Sequence, residues 1–261
     1  MTQFERKWTL DGVENFRDYG GYATADGRRV KTGRLFRSAH HGAASAADLE
    51  RLDALGLSAL VDLRRTTERN RMPSQRGPGF KAQVILNDLD DQDVDSFHAH
   101  LIESDQSVEA MRAYLRDYYR HAPLERRHID LYRRYFQVLA EADGPVLIHC
   151  AAGKDRTGIL AALTHRLLGV GDEDMMADYL LTNDAERMER RAPLFAAWVQ
   201  DLTGRTPSKD AMFASMGVEA EYLRIAFAAI EAEYGSVEAY LEQALGVDAA
   251  LKARIEERLL D

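Results

Sequence analysis

The stretch 144–168, GPVLIHCAAGKDRTGILAALTHRLL, constrains the fold more than any other part of the chain. It opens with a short apolar run that reads as a buried strand. It closes with a run of helical length. A glycine-containing loop joins the two. Other pieces repeat the alternation. RLFRSA (34–39), SALVDLR (58–64) and AQVILN (82–87) read as short strands. SAADLERLDALGL (45–57) reads as a helix capped by Ser45, with Asp48 at its third position. One long helical region is expected over 107–142. Helices then follow near 157–168, 173–191, 218–233, 236–245 and 248–260, with Asp172, Ser236 and Asp248 as caps. Strands separated by helices imply an α/β domain with a mostly parallel central sheet flanked by helices and a helical C-terminal half. No internal repeat or linker divides it, so 1–261 reads as a single domain.

In such sheets, sites form at the carboxyl ends of strands. Asp62, Arg64, Asn87, Asp88 and Cys150 all fall at predicted strand ends. Two irregular stretches, the acidic 88–107 and 202–217, are either lids over a site or ordinary surface loops.

Charge narrows the function classes. The formal net charge is −9, which argues against diffuse nucleic-acid binding and general attraction to anionic membranes. The first residues, MTQFERKWTLDG, hold no apolar core of a signal peptide, and no run approaches the roughly 18 apolar residues of a membrane span. The expectation is therefore a cytoplasmic protein without stable membrane insertion, with export by a signal-less route as the alternative. Oligomeric state is not legible. The chain has one cysteine, Cys150, so no intrachain disulfide forms.

On count alone a lone cysteine is a small buried hydrophobe. The loop HCAAGKDRTG (149–158) favours another reading. A thiol attacks as thiolate, which a helix N-terminus and nearby cations stabilise. The helix start offers free N–H groups, and Gly153 lets the backbone turn so that the amides of Ala151, Ala152 and Gly153 converge on an anion. The Arg156 guanidinium is a planar fork for two phosphate oxygens. Together they match a phosphoryl group in transfer. Cys150 would attack phosphorus and water would hydrolyse the thiophosphate, with Thr157 donating its hydroxyl to the departing thiolate. His149 would hold the thiolate through its ring N–H. No metal or cofactor is required. A Walker-type nucleotide loop fails twice, with Asp155 where Ser or Thr is needed and Ile148 where Gly is needed.

Cys150 through Arg156 match the Cys-x5-Arg signature of cysteine-dependent protein tyrosine phosphatases. The longer loop resembles a bacterial branch that includes tyrosine, dual-specificity and phosphoinositide phosphatases. NFRDYGG (15–21), GRLFRSA (33–39), VDLR (61–64), ADYLLTND (177–184) and YGSVEAYL (234–241) resemble further blocks of that family, so the likeness spans most of the chain in order. It implies the phosphatase α/β fold, a helical lid drawn from 88–125 and 195–217, and hydrolysis of phosphotyrosine, with phosphoserine and phosphothreonine as further substrates. A phosphoinositide phosphatase is the alternative. A non-catalytic phosphate-binding module has no need of a thiolate, and a redox thiol would lack a resolving cysteine. The substrates implied are phosphorylated proteins or phosphoinositides.

The leaving oxygen needs a proton. Asp155 is the acid that the resemblance favours, and Asp88, which follows QVIL, is the alternative. Lys154 is either a second cation for substrate or a solvated surface lysine. Arg64 is either a substrate ligand or half of a structural ion pair. Arg17 and Asp18 are expected to brace the loop from behind. His98 and His100 lack metal-ligand spacing. The stripe Val108, Met111, Leu115 and Tyr118 reads as core or lid packing.

Overall fold

The computed structural model describes residues 8–89 and 96–261. Its sheet has the order β1-β2-β5-β3-β4. The strands are β1 (Arg17–Asp18), β2 (Leu35–Ser38), β3 (Ala59–Asp62), β4 (Gln83–Ile85) and β5 (Val146–His149). All neighbours are parallel except β1, which pairs antiparallel with β2 at one edge. The α/β class expected from the strand–helix alternation is the class observed.

Parallel strands buried on both faces lack an apolar–polar alternation, and β2, β3 and β5 are buried at every position. Successive side chains still divide between two cores. Leu35, Ala59, Val61, Val146 and Ile148 face one core, and Phe36, Leu60 and Leu147 face the other. The helices are α1 (Ala46–Ala54), α2 (Thr66–Arg71), α3 (Ser96–Glu103), α4 (Val108–His121), α5 (Arg126–Glu141) and α6 (Asp155–Leu167). They continue as α7 (Asp172–Leu180), α8 (Ala185–Thr203), α9 (Lys209–Met216), α10 (Ala220–Tyr234), α11 (Val237–Gln243) and α12 (Ala249–Leu259). α5 and α6 supply the first core through Leu131, Phe136, Ile159 and Leu163, while Leu52 of α1 joins Trp8 and Phe16 in the second.

Ser45, Ser236 and Asp248 cap their helices as expected, each accepting a backbone N–H. Four expectations are corrected. The helical region 107–142 is two helices, α4 and α5. Between them Ala122–Leu124 forms a 3₁₀ turn containing Pro123, which has no N–H to continue an α-helix. The region 173–191 is also two helices, because Leu181–Asn183 tightens into a 3₁₀ turn and Asp184 caps α8. Within 202–217, Ser208 caps a further helix, α9. Asp172 is the first residue of α7, and Gly171 holds the capping position. Of the two candidate lid segments, residues 90–95 lie outside the described residues, and the remainder is largely helical in α3, α4, the end of α8 and α9.

Register decides where chemistry can happen. Ser38 and Asp62 each lie level with His149, so β2, β5 and β3 end together. The cysteine loop leaves from the middle strand of the three.

Candidate active site

Residues 150–154 turn the chain from β5 into α6, and the turn depends on Gly153. Its φ is +67°, in the left-handed region. A Cβ there would also lie 2.4 Å from the Ser38 carbonyl. Gly158, one turn into α6, is tight for another reason. A Cβ there would lie 2.8 Å from the Tyr179 ring, so glycine lets α7 approach.

The hydrogen bonds of the loop show which way it faces. Its carbonyls are taken up behind it. Ala151 O accepts from His40 N at 3.1 Å. Gly153 O accepts from Asn15 Nδ2 at 2.8 Å and from Arg37 Nη2 at 3.1 Å. The N–H groups of residues 151–156 donate to no protein acceptor among the described residues. Carbonyls bound on one side leave the amides to converge on the other, which is an anion cradle at a helix N-terminus.

Behind the cradle sits a buried ionic brace. Asp178 of α7 accepts from Arg17 Nε at 3.2 Å and from Arg37 Nη1 at 2.8 Å. Burial would raise the Asp178 carboxyl, but Arg17 and Arg37 outweigh it and hold it well below the usual carboxylate range. Arg17 also donates to Asn15 Oδ1, which orients the amide that grips Gly153. Arg17 therefore braces the loop through Asn15. Asp18 accepts from the backbone of Gly20 and Gly33, tying the β1 and β2 approaches together.

Cys150 is 1% exposed, at the floor of a cavity of about 340 Å³. Arg156 and Asp155 line the same cavity. Both guanidinium ends of Arg156 bond to Glu68 of α2, at 2.5 and 2.7 Å. Burial pushes the Glu68 carboxyl up, but Arg156 outweighs it and brings it to about 2. Asp155 Oδ1 accepts from the buried Tyr119 hydroxyl at 2.9 Å, and Tyr119 accepts from Tyr179 at 2.7 Å. Two tyrosines thus fix the orientation of this carboxyl. Thr157 Oγ1 is buried and has no hydrogen-bond partner among the described residues.

Other candidates sit differently. Lys154 lines the cavity, but it is neither a solvated lysine nor a free rim cation. Its ammonium donates to the carbonyls of Ser215 and Gly217 at the end of α9, and burial lowers its pKa. Arg64 is the structural ion pair. It donates to Asp62 through Nε at 2.9 Å and Nη2 at 2.7 Å, to Ser74 and to the Met72 carbonyl. Asp88 lies outside the cavity lining, exposed and bonded to Arg69 and Thr66. His149 does not bond the thiol. Its Nδ1 pairs with the Cys150 carbonyl at 3.2 Å, and burial lowers it to about 4 despite Asp62 nearby. His98 bonds Arg71 and packs on Trp198, and His100 stacks on Tyr114.

Glu68, Tyr119, Asn15, Arg37 and Asp178 were not singled out from the sequence. A signal existed for Glu68. It stands three residues after Arg65 and accepts that residue's N–H at 2.8 Å, as the third-position acid of a helix start does. Asn15, Arg37 and Asp178 lie in the blocks NFRDYGG, GRLFRSA and ADYLLTND, which carry no local sign of their roles. Tyr119 reads as one more aromatic residue of α4.

Comparison with known proteins agrees with this geometry. A model of the tyrosine phosphatase family matches residues 8–261. A protein of Cupriavidus necator, provisionally named a tyrosine-protein phosphatase, is 36% identical over 92% of this chain and 85% of its own. The triple specificity protein phosphatase PtpB of Mycobacterium tuberculosis is 33% identical over 96% of this chain and 98% of its own. A tyrosine-protein phosphatase of Nostoc commune is 31% identical over 56% of this chain and 47% of its own. With its cysteine loop, its sheet and its full-length likeness to these proteins, the chain belongs to the tyrosine phosphatase family.

Proposed function

We propose that the protein hydrolyses phosphotyrosine through a cysteinyl-phosphate intermediate, with Cys150 as nucleophile, Arg156 as phosphate ligand and Asp155 as general acid. The observation that carries this is the set of unpartnered loop amides above a buried cysteine. The amides of Ala151, Ala152 and Gly153 and the Arg156 fork hold the equatorial oxygens as charge spreads over them. Sγ of Cys150 bonds to phosphorus as the bond to the leaving oxygen breaks. Asp155 gives its proton to that oxygen. Water then attacks phosphorus, Asp155 takes a proton from it, and the S–P bond breaks to release inorganic phosphate. Thr157, with its hydroxyl unspent, donates to the departing thiolate.

Asp155 is supported over Asp88 as the acid because only Asp155 lines the cavity. The phosphoinositide alternative drew on Lys154 as a free second cation, and the carbonyls that hold its ammonium weaken that argument.

The test is turnover of an aryl phosphate at mildly acidic pH. Cys150→Ser should abolish phosphate release. Asp155→Asn should slow it by roughly 10²–10⁴-fold, the usual worth of a positioned acid. Its effect should shrink with a leaving group that needs no proton. Equal rates for wild type and Cys150→Ser would sink the assignment.

A further inference from the structure

Lys154 is a buried lysine in the cysteine loop, 7% exposed. A buried ammonium is costly unless its donors and its charge are both satisfied. Its donors reach the Ser215 and Gly217 carbonyls at the C-terminal end of α9, where free carbonyls and the helix dipole favour a cation. That end of α9 is itself pinned. Asn183 accepts from the Val218 N–H at 2.8 Å and donates to the Val218 carbonyl at 2.7 Å. The ammonium therefore occupies a fixed point, although its stem is long and flexible.

Its charge faces one carboxylate. Oδ2 of Asp155 lies 3.6 Å from Nζ, and Lys154 forms no other ion pair among the described residues. The Tyr119 hydroxyl donates to the other oxygen, Oδ1, at 2.9 Å. The carboxyl is thus held on both sides, by a hydroxyl fixed through Tyr179 and by an ammonium fixed through α9. An ammonium has three donors. Two are spent on carbonyls, which leaves one, on the side of Asp155.

With Oδ1 accepting from Tyr119, Oδ2 is the oxygen left to carry a proton. Fixing both oxygens presents that proton from one place. When it passes to the leaving ester oxygen, negative charge develops on Oδ2 beside a cation that is already in position. When Asp155 later takes a proton from the attacking water, that charge is neutralised again. Lys154 keeps its own proton throughout.

We propose that Lys154 is a positioning residue for the general acid, holding Oδ2 of Asp155 and stabilising the charge left there as the proton departs, with the end of α9 setting where the ammonium stands. This rests on the reading of Asp155 as the acid.

The test measures kcat and KM on phenyl phosphate and on para-nitrophenyl phosphate. Phenolate is a poor leaving group without a proton, whereas para-nitrophenolate leaves with little help. Lys154→Met should lower kcat on phenyl phosphate by about tenfold or more, the worth of a contact to a charged group. On para-nitrophenyl phosphate the loss should stay below about threefold, because little proton transfer is needed. KM should stay nearly unchanged on both. In an Asp155→Asn background the same substitution should cost less than about twofold on either ester, since the group it serves is gone. Lys154→Gln, whose amide still offers N–H donors to the α9 carbonyls, should show the same pattern and carries the test if the methionine variant does not fold. Thermal melts check folding.

A rise in KM on both esters with kcat kept makes Lys154 a substrate ligand and overturns the proposal. An equal loss of kcat on both esters, or a loss that persists in the Asp155→Asn background, makes it a support of the loop alone and overturns it too. Asp155→Asn by itself separates the two readings. If that variant shows no dependence on the leaving group, the acid assignment falls and this proposal with it. If it shows the dependence and the lysine variants do not, only this proposal falls.

Discussion

Gly153 meets two independent demands, a left-handed φ and backbone packing against Ser38. Gly153→Ala should therefore cost about 1–3 kcal/mol of stability through the strained backbone alone. Activity should fall by at least about 100-fold, because a cradle displaced by an ångström no longer matches its oxygens. Denaturant melts and aryl phosphate turnover check the two effects separately. An alanine variant with wild-type rates would show that the turn is not needed. The sequence pointed to Gly153, Cys150 and Arg156 directly, since their chemistry depends on spacing within one loop. It could not place Lys154, whose partners Ser215 and Gly217 lie more than 60 residues away in the chain.

At the scale of elements, the loop is held by parts that sequence distance keeps apart. Asn15 precedes β1, Arg37 lies in β2 and Asp178 in α7, and all three converge behind β5 and α6. Asp178→Asn should destabilise the protein by ~3–5 kcal/mol, because it leaves two buried guanidinium groups without their counter-charge. The loss should exceed that for Asp155→Asn, whose carboxyl stands at the cavity wall beside the Tyr119 hydroxyl and the Lys154 ammonium rather than between two buried guanidinium groups. Melts of the two variants at neutral pH decide this, and comparable stabilities would show that the brace carries little energy. The strands and most helices were legible because burial pattern and caps are local signals. The splits of 107–142 and 173–191 were less so. Pro123 and Asp184 mark them, but apolar periodicity runs across both breaks.

At the scale of the molecule, the buried titratable groups set a pH limit. Burial lowers His149 to about 4, from an ordinary value of 6.5. It lowers His40 to about 4 as well, with Arg64 adding to the effect. A histidine that resists its proton when folded is protonated preferentially in the unfolded chain. Stability from these groups is therefore complete above pH 6.5 and lost as pH falls toward 4. Glu68, held at about 2 against an ordinary 4.5, adds a second loss below pH 4.5. Melting temperature should fall steadily between pH 6.5 and 4, and His149→Asn should flatten that slope. A pH-independent melt over this range would contradict it.

The sequence by itself determined the α/β class, the strand that carries the cysteine, and the loop that reads as a phosphate cradle. Each of these depends on residues that are neighbours in the chain. Only the tertiary structure decided that Glu68 anchors Arg156, that Tyr119 orients Asp155, that Asp88 stands outside the cavity and that Arg187 and Arg191 enter it. These are meetings across long sequence separations, set by how a parallel sheet and its covering helices close on one another. A side chain's type limits what it can do, and packing chooses its partner.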